Sequence, residues 1–116
     1  MAIYVSTTCL LNNKNSVFDV LDDCARAGLK NIELGITPAS ATELPLSRFK
    51  TYGFSYLCHN LFPPPPEPLI VNLASQDPTI MRRSKAQIKT SIDFCQSLDI
   101  RLFTCSSVWR YVGPHG

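Results

Sequence analysis

Apolar residues change their spacing along this chain, short β-rich runs alternating with stretches of helical period. Ile3 to Leu10 is rich in β-formers and ends in the polar run Asn12, Asn13, Lys14, Asn15, which predicts a first strand and a loop. Ser16 stands three residues before Asp19, a short-armed capping box, and opens a helix running to about Lys30. Val17, Val20, Leu21, Cys24 and Ala25 recur on one face of it, with Asp19, Asp22, Asp23 and Arg26 mostly off that face. Gly28 suits the left-handed residue that closes such a helix. Asn31 to Ile36, NIELGI, supplies a second short strand.

Pro38 and Pro45 punctuate the next stretch, where only Leu46 to Tyr52 is long enough for a helical turn or two. Phe54 to Leu61, FSYLCHNL, reads as a third strand. The run PPPPEP from Pro63 to Pro68 has few backbone donors and should extend stiffly as polyproline II, a rigid loop over the strand ends in preference to a peptide-binding motif. Asp77 followed by Pro78 is a strong helix start. From there Ile80, Met81, Ser84, Ile88, Ser91, Ile92, Cys95 and Leu98 form a stripe, opposite a basic set of Arg82, Arg83, Lys85 and Lys89. Arg101 to Ser106 is a fourth strand by its apolar content, and the tail WRYVGPHG carries no helical pattern.

Strands alternating with helices specify an α/β fold with a parallel sheet and right-handed crossovers. The first strand-to-helix turn, TTCLLNNKNS, holds no glycine, which argues against an open sheet of the dinucleotide-binding type. Composition narrows the reading. The chain has 116 residues, 45% apolar and 17% charged, with formal net charge +2, which excludes a disordered chain and leaves room for one ordinary domain. It falls short of the roughly 250 residues of a complete eight-stranded barrel. Acidic and basic residues are interleaved, so no electrostatic footprint for nucleic acid stands out and the basic set reads as a solvated outer face. No signal-peptide pattern or membrane span is visible, and the expected location is cytoplasmic. The five cysteines, widely spaced in apolar runs and without a CxxC pair, read as reduced, buried thiols.

The phrase ARAGLKNIELG (Ala25 to Gly35), then FSYLCHNLFPPP (Phe54 to Pro65), then VNLASQDP (Val71 to Pro78) before a long helix ending SLDIRLFT (Ser97 to Thr104), resembles the sugar phosphate isomerases and epimerases of the xylose isomerase-like TIM-barrel superfamily. The resemblance covers residues 1–104 and leaves 105–116 as a non-matching tail. It implies a partial (β/α)8 TIM barrel, a half barrel of about four parallel strands. The parent activity it implies is metal-assisted proton transfer on a sugar or sugar phosphate.

In such barrels the working groups gather at the C-terminal ends of the strands. His59 and the adjacent Asn60 lie near the end of the third strand and Glu33 near the end of the second; the resemblance makes these the substrate-binding candidates. An imidazole can donate from one nitrogen and accept at the other, but His59 can equally be a hydrogen-bonded strand-end residue without chemistry. Glu33 is either a pocket carboxylate contacting a sugar hydroxyl or a member of a structural ion pair. Ser6 and Thr7 are weaker candidates for the same face.

In the resembled family the divalent metal (Mn, Mg, Zn or Co) is held mainly by residues of the second half of the barrel. The two His and scattered carboxylates here show no metal-ligand spacing, so no complete catalytic set and no metal are expected of this chain. Cys105 and Ser106 stand where family members often place a His-containing turn, which suggests truncation or a shifted reading frame near residue 105. The leading expectation is thus an isomerase or epimerase fragment, inactive alone, with no nucleic-acid or membrane partner. Two alternatives stay open: an apurinic-site endonuclease-like fragment of the same superfamily, and a half-barrel binding or assembly module that self-associates through exposed sheet edges.

Overall fold

Ser16 opens the first helix as its spacing predicts. In the computed structural model, which describes residues 3–10, 16–35, 44–67 and 69–104, the Ser16 hydroxyl accepts from the Phe18 amide at 3.2 Å and α1 runs Val17–Arg26. It ends four residues before Lys30, because Gly28 takes φ +75° and the Leu29 amide turns back to the Cys24 carbonyl at 3.0 Å. The second helix, α2, is Leu46–Thr51, and α3 is Pro78–Ser97, where Asp77 accepts from the Thr79 amide and Pro78 fills the first turn.

Four strands, β1 Val5–Ser6, β2 Asn31–Leu34, β3 Ser55–His59 and β4 Phe103–Thr104, form one sheet in the order β1-β2-β3-β4. All three pairings are parallel, so the molecule is α/β with sequential crossovers. Each strand is shorter than the sequence suggests. At β1 the reason is chemical: the Ser6 hydroxyl accepts from the Thr8 amide, the Thr7 hydroxyl accepts from Gly35, and Thr7–Leu10 coils into a 3₁₀ turn. Hydroxyl side chains that bond nearby amides compete with the ladder and end the strand. Ile36, Pro38, Asn12 to Asn15, Pro68 and the tail from Cys105 lie outside the described residues.

β2 shows how the layers form. Ile32 and Leu34 are buried while Asn31 and Glu33 are half-buried, the alternation of a strand with one covered face. On the covered face Val17, Val20 and Leu21 of α1 and Phe49 of α2, all fully buried, pack with Ile32, Leu34, Cys58 and Phe62. Phe94 and Cys95 bring in α3. Phe49 sits at the centre of the rings, 4.9 Å from Phe18, 5.4 Å from Phe94, 6.0 Å from Tyr56 and 6.1 Å from Phe62 between centroids.

The apolar stripe expected on α3 is rotated. Ser84, Ser91 and Cys95 do face inward, but Gln87 and Phe94 join them, while Ile80 and Ile92 remain 37% and 40% exposed. The inward polar row is held by hydrogen bonds: Ser84 Oγ accepts from the Asn72 amide, and Gln87 and Ser91 donate to carbonyls of the loop after β3. Satisfied polar groups can be buried at little cost, and here they decide which side of the helix goes in.

Candidate functional site

The face of the sheet away from the helices is built by register. Ser6 aligns with Glu33 and Glu33 with Leu57, while His59, two residues further along β3, aligns with Thr104. Residues two apart on a strand share a face, so Ser6, Glu33, His59 and Thr104 project on one side of neighbouring strands near their C-terminal ends. Tyr4 and Ser55 continue the same face toward the other end, where their hydroxyls lie 3.2 Å apart. The described helices all pack on the opposite face. Ser6, Glu33, His59 and Thr104 are consequently half-buried, and Leu102, which neighbours Leu57 in the same register, is 55% exposed.

At the top of β1 and β2 the backbone closes tightly. Thr7 is fully buried and its Oγ1 accepts from the Gly35 amide at 3.0 Å, stapling the two strand ends across 28 residues of sequence. A Cβ at Gly35 would run into Thr8 Oγ1 and lie 2.9 Å from Ser6 Oγ, so Gly35 is where these strands need a residue without a side chain. Ser6 therefore faces the open side, whereas Thr7 is a structural staple.

His59 ends β3. Its Nδ1 accepts from the Leu61 amide at 3.4 Å, which places the proton of the neutral ring on Nε2 and makes that nitrogen a donor. Asn60 turns the other way. It is 2% exposed, its amide donates to the Thr104 carbonyl at 3.0 Å, and its carbonyl accepts from Ser91 Oγ at 2.9 Å and Gln87 Nε2 at 3.3 Å. Gln87 Nε2 also donates to the Pro63 carbonyl at 2.7 Å, beyond the cis Phe62-Pro63 peptide. The structure thus brings Glu33 and His59 to one face and sets Asn60 on the side of α3. Gln87 was not among the candidates; its signal is the spacing Ser84, Gln87, Ser91, a polar row on the inward side of an amphipathic helix.

The proline run leaves the end of β3 and lines a cavity of about 290 Å³ against α3, where Pro65, Pro66 and Glu67 face Arg83, Gln87 and Thr90. Arg82, Lys85 and Lys89 are exposed on that helix, and Lys89 pairs with Asp93 at 3.1 Å. Cys9, Cys24, Cys58 and Cys95 are free thiols, and only Cys9 of these four is exposed. Burial pushes the Cys58 thiol well up, and the neighbouring Cys95 thiol and the Glu33 carboxylate push in the same direction. Such a thiol stays protonated and does not serve as a nucleophile.

Among the described residues no three His, Cys, Asp or Glu come together as a metal-ligand set. Glu33 and His59 are two donors on one face, fewer than the three protein ligands of an open catalytic zinc site, so these residues do not by themselves fit the divalent metal that the resemblance implies. What they offer is a polar set: a carboxylate that accepts, an imidazole that donates, and hydroxyls of Ser6 and Thr104 that do either. Among the described residues no helix is long and apolar enough to cross a membrane. No family model, curated protein or solved structure matches the chain.

Proposed function

We propose that this chain forms the substrate-facing half of a TIM barrel of the sugar phosphate isomerase and epimerase type, binding a sugar or sugar phosphate without completing its chemistry. The observation that carries the reading is the register that sets Glu33 and His59 on one sheet face, the face opposite the described helices, at the C-terminal strand ends and flanked by Ser6 and Thr104. That is where a parallel α/β sheet presents its binding groups. Glu33 accepts from vicinal hydroxyls, and Nε2 of His59 donates to a carbonyl or hydroxyl oxygen. Proton transfer beside a carbonyl also needs an acid on the far side and a group to stabilise the enediolate, and the described residues of this face offer no such pair.

Saturation-transfer NMR against a panel of aldoses, ketoses and their phosphates tests the proposal. Binding is expected, weakened at least fivefold by Glu33→Gln and by His59→Ala. Absence of binding to every member of the panel, or binding untouched by both substitutions, overturns it. Aldose-ketose interconversion by the isolated chain would overturn the claim that the face is chemically incomplete.

A further inference from the structure

His59 to Phe62 form the turn by which the chain leaves β3, closed by the Phe62 amide donating to the His59 carbonyl at 2.9 Å. His59, at its first position, is fixed by its place in the sheet beside Thr104. Asn60 is gripped from two sides. Its amide donates to the Thr104 carbonyl of β4, and its carbonyl accepts from Ser91 Oγ and Gln87 Nε2 of α3. Phe62 ends the turn with a fully buried ring, 5.3 Å from Phe94 and 6.1 Å from Phe49 between centroids, and Gln87 reaches past it to the Pro63 carbonyl. With those three residues held, the amide of the third, Leu61, points back at the first side chain, where an Asx turn places its acceptor. Here the acceptor is Nδ1 of His59.

We infer that Gln87 and Ser91 are positioning residues for His59: by holding the turn they aim the Leu61 amide at Nδ1 and fix the imidazole as a hydrogen-bond donor through Nε2. The two side chains stand four residues apart, on one side of α3, with Gln87 6% exposed and Ser91 fully buried. A neutral ring in this state has no lone pair left for a ligand's proton, since one is engaged by the Leu61 amide and the other nitrogen carries the hydrogen. His59 then recognises an acceptor oxygen, whether carbonyl, hydroxyl or phosphate. Among the described residues of this face, Glu33 is left as the group that can take a proton. That division of roles rests on the sugar-binding reading; the state of the ring does not.

NMR of the full chain carrying nitrogen-labelled histidine reads the ring directly, and His115→Gln removes the signals of the other imidazole. At about pH 8.5, well above the ordinary imidazole value of about 6.5, Nδ1 of His59 should show the shift of an unprotonated nitrogen and Nε2 that of a protonated one. Gln87→Leu and Ser91→Ala should each move both shifts at least half of the way to those of a short unstructured histidine peptide. Ser91→Ala, the smaller change, keeps the test open should Gln87→Leu fail to fold. Ser84→Ala is the control, because it removes a fully buried hydroxyl from the same row of α3 that serves the Asn72 amide instead, and it should leave the shifts in place. A proton on Nδ1 in the parent, shifts untouched in the variants that fold, or equal movement in Ser84→Ala would each overturn the inference. The expected shifts in a chain that binds no sugar would count against the proposed ligand and leave the positioning of His59 intact.

Discussion

Replacing Phe49 tests the account of the core at its narrowest point. α2 has six residues, well below the roughly 12–15 at which an isolated helix becomes marginal in water, so its position depends on docking. Phe49 is its one buried residue, fully enclosed, with four aromatic rings within 6.1 Å. Other attachments are the Tyr56 hydroxyl, which donates to the Phe49 carbonyl at 2.7 Å and stays in place when the ring is cut back, and Arg48. Arg48 reaches Asp22 at 3.5 Å, both about half-exposed, and lies 4.2 Å from the buried Phe18 ring. Exposed pairs and cation-π contacts of that kind contribute about 1 kcal/mol or less. Phe49→Ala should therefore cost about 3–5 kcal/mol, the range for a phenylalanine removed from a packed core, and Phe49→Leu about 1–1.5 kcal/mol. With a urea slope of about 1.5 kcal/mol per molar, the alanine variant should unfold about 2–3 M earlier than the parent. Equilibrium urea unfolding followed by circular dichroism reads this directly. A loss below about 1 kcal/mol for Phe49→Ala at unchanged slope would refute the claim that this ring holds α2 to the sheet.

Thr7→Val keeps shape but strands the buried Gly35 amide, and should cost about 1–3 kcal/mol against less than about 1.5 kcal/mol for Thr7→Ser, measured by thermal unfolding. Gln87→Leu should lose about 1–3 kcal/mol because the Pro63 carbonyl loses its donor, with faster hydrogen exchange at the Phe62 amide; unchanged exchange there would argue that Ser91 alone holds the loop. The thiols give a pH dependence of definite sign. Burial raises Cys24, Cys58 and Cys95 above the unfolded thiol value of about 8.5, so above that pH the unfolded chain has given up protons the folded chain still holds. Their contribution is fully present below about pH 8.5 and is lost as pH rises further, by up to about 1.4 kcal/mol per pH unit for each group. The urea midpoint should fall between pH 8.5 and 10, less steeply in Cys58→Ala, and a thiol reagent at neutral pH should modify Cys9 well before Cys24, Cys58 or Cys95.

The α/β class, the helix starts at Ser16 and Asp77, and the turn at Gly28 were legible because each rests on local chemistry: a side-chain cap, a proline in the first turn, a positive φ. The strand ends were not legible, since Thr7 stops β1 by bonding to Gly35, a partner 28 residues away that no local pattern reveals. The inward side of α3 was misjudged for the same reason. Ile80 and Ile92 outrank Gln87 in hydrophobicity, yet Gln87 goes inside because the loop after β3 brings two carbonyls within its reach. Glu33 and His59 could each be picked out singly at strand ends, but their common face is a matter of register between β2 and β3, settled only when the sheet is assembled.

The polar row on α3 also bears on how exclusively this chain settles into one arrangement. An interface made only of aliphatic side chains can slide by a turn and recover much of its contact, since hydrophobic burial has no direction. Ser84, Gln87 and Ser91 meet one amide and two carbonyls at particular heights along the helix. A shift of one turn, about 5.4 Å, would leave all three interactions broken at once. Aliphatic residues at those positions could make a sturdier helix-sheet contact, but they would also admit several neighbouring registers, and with them several placements of the loop that leaves β3 directly after His59.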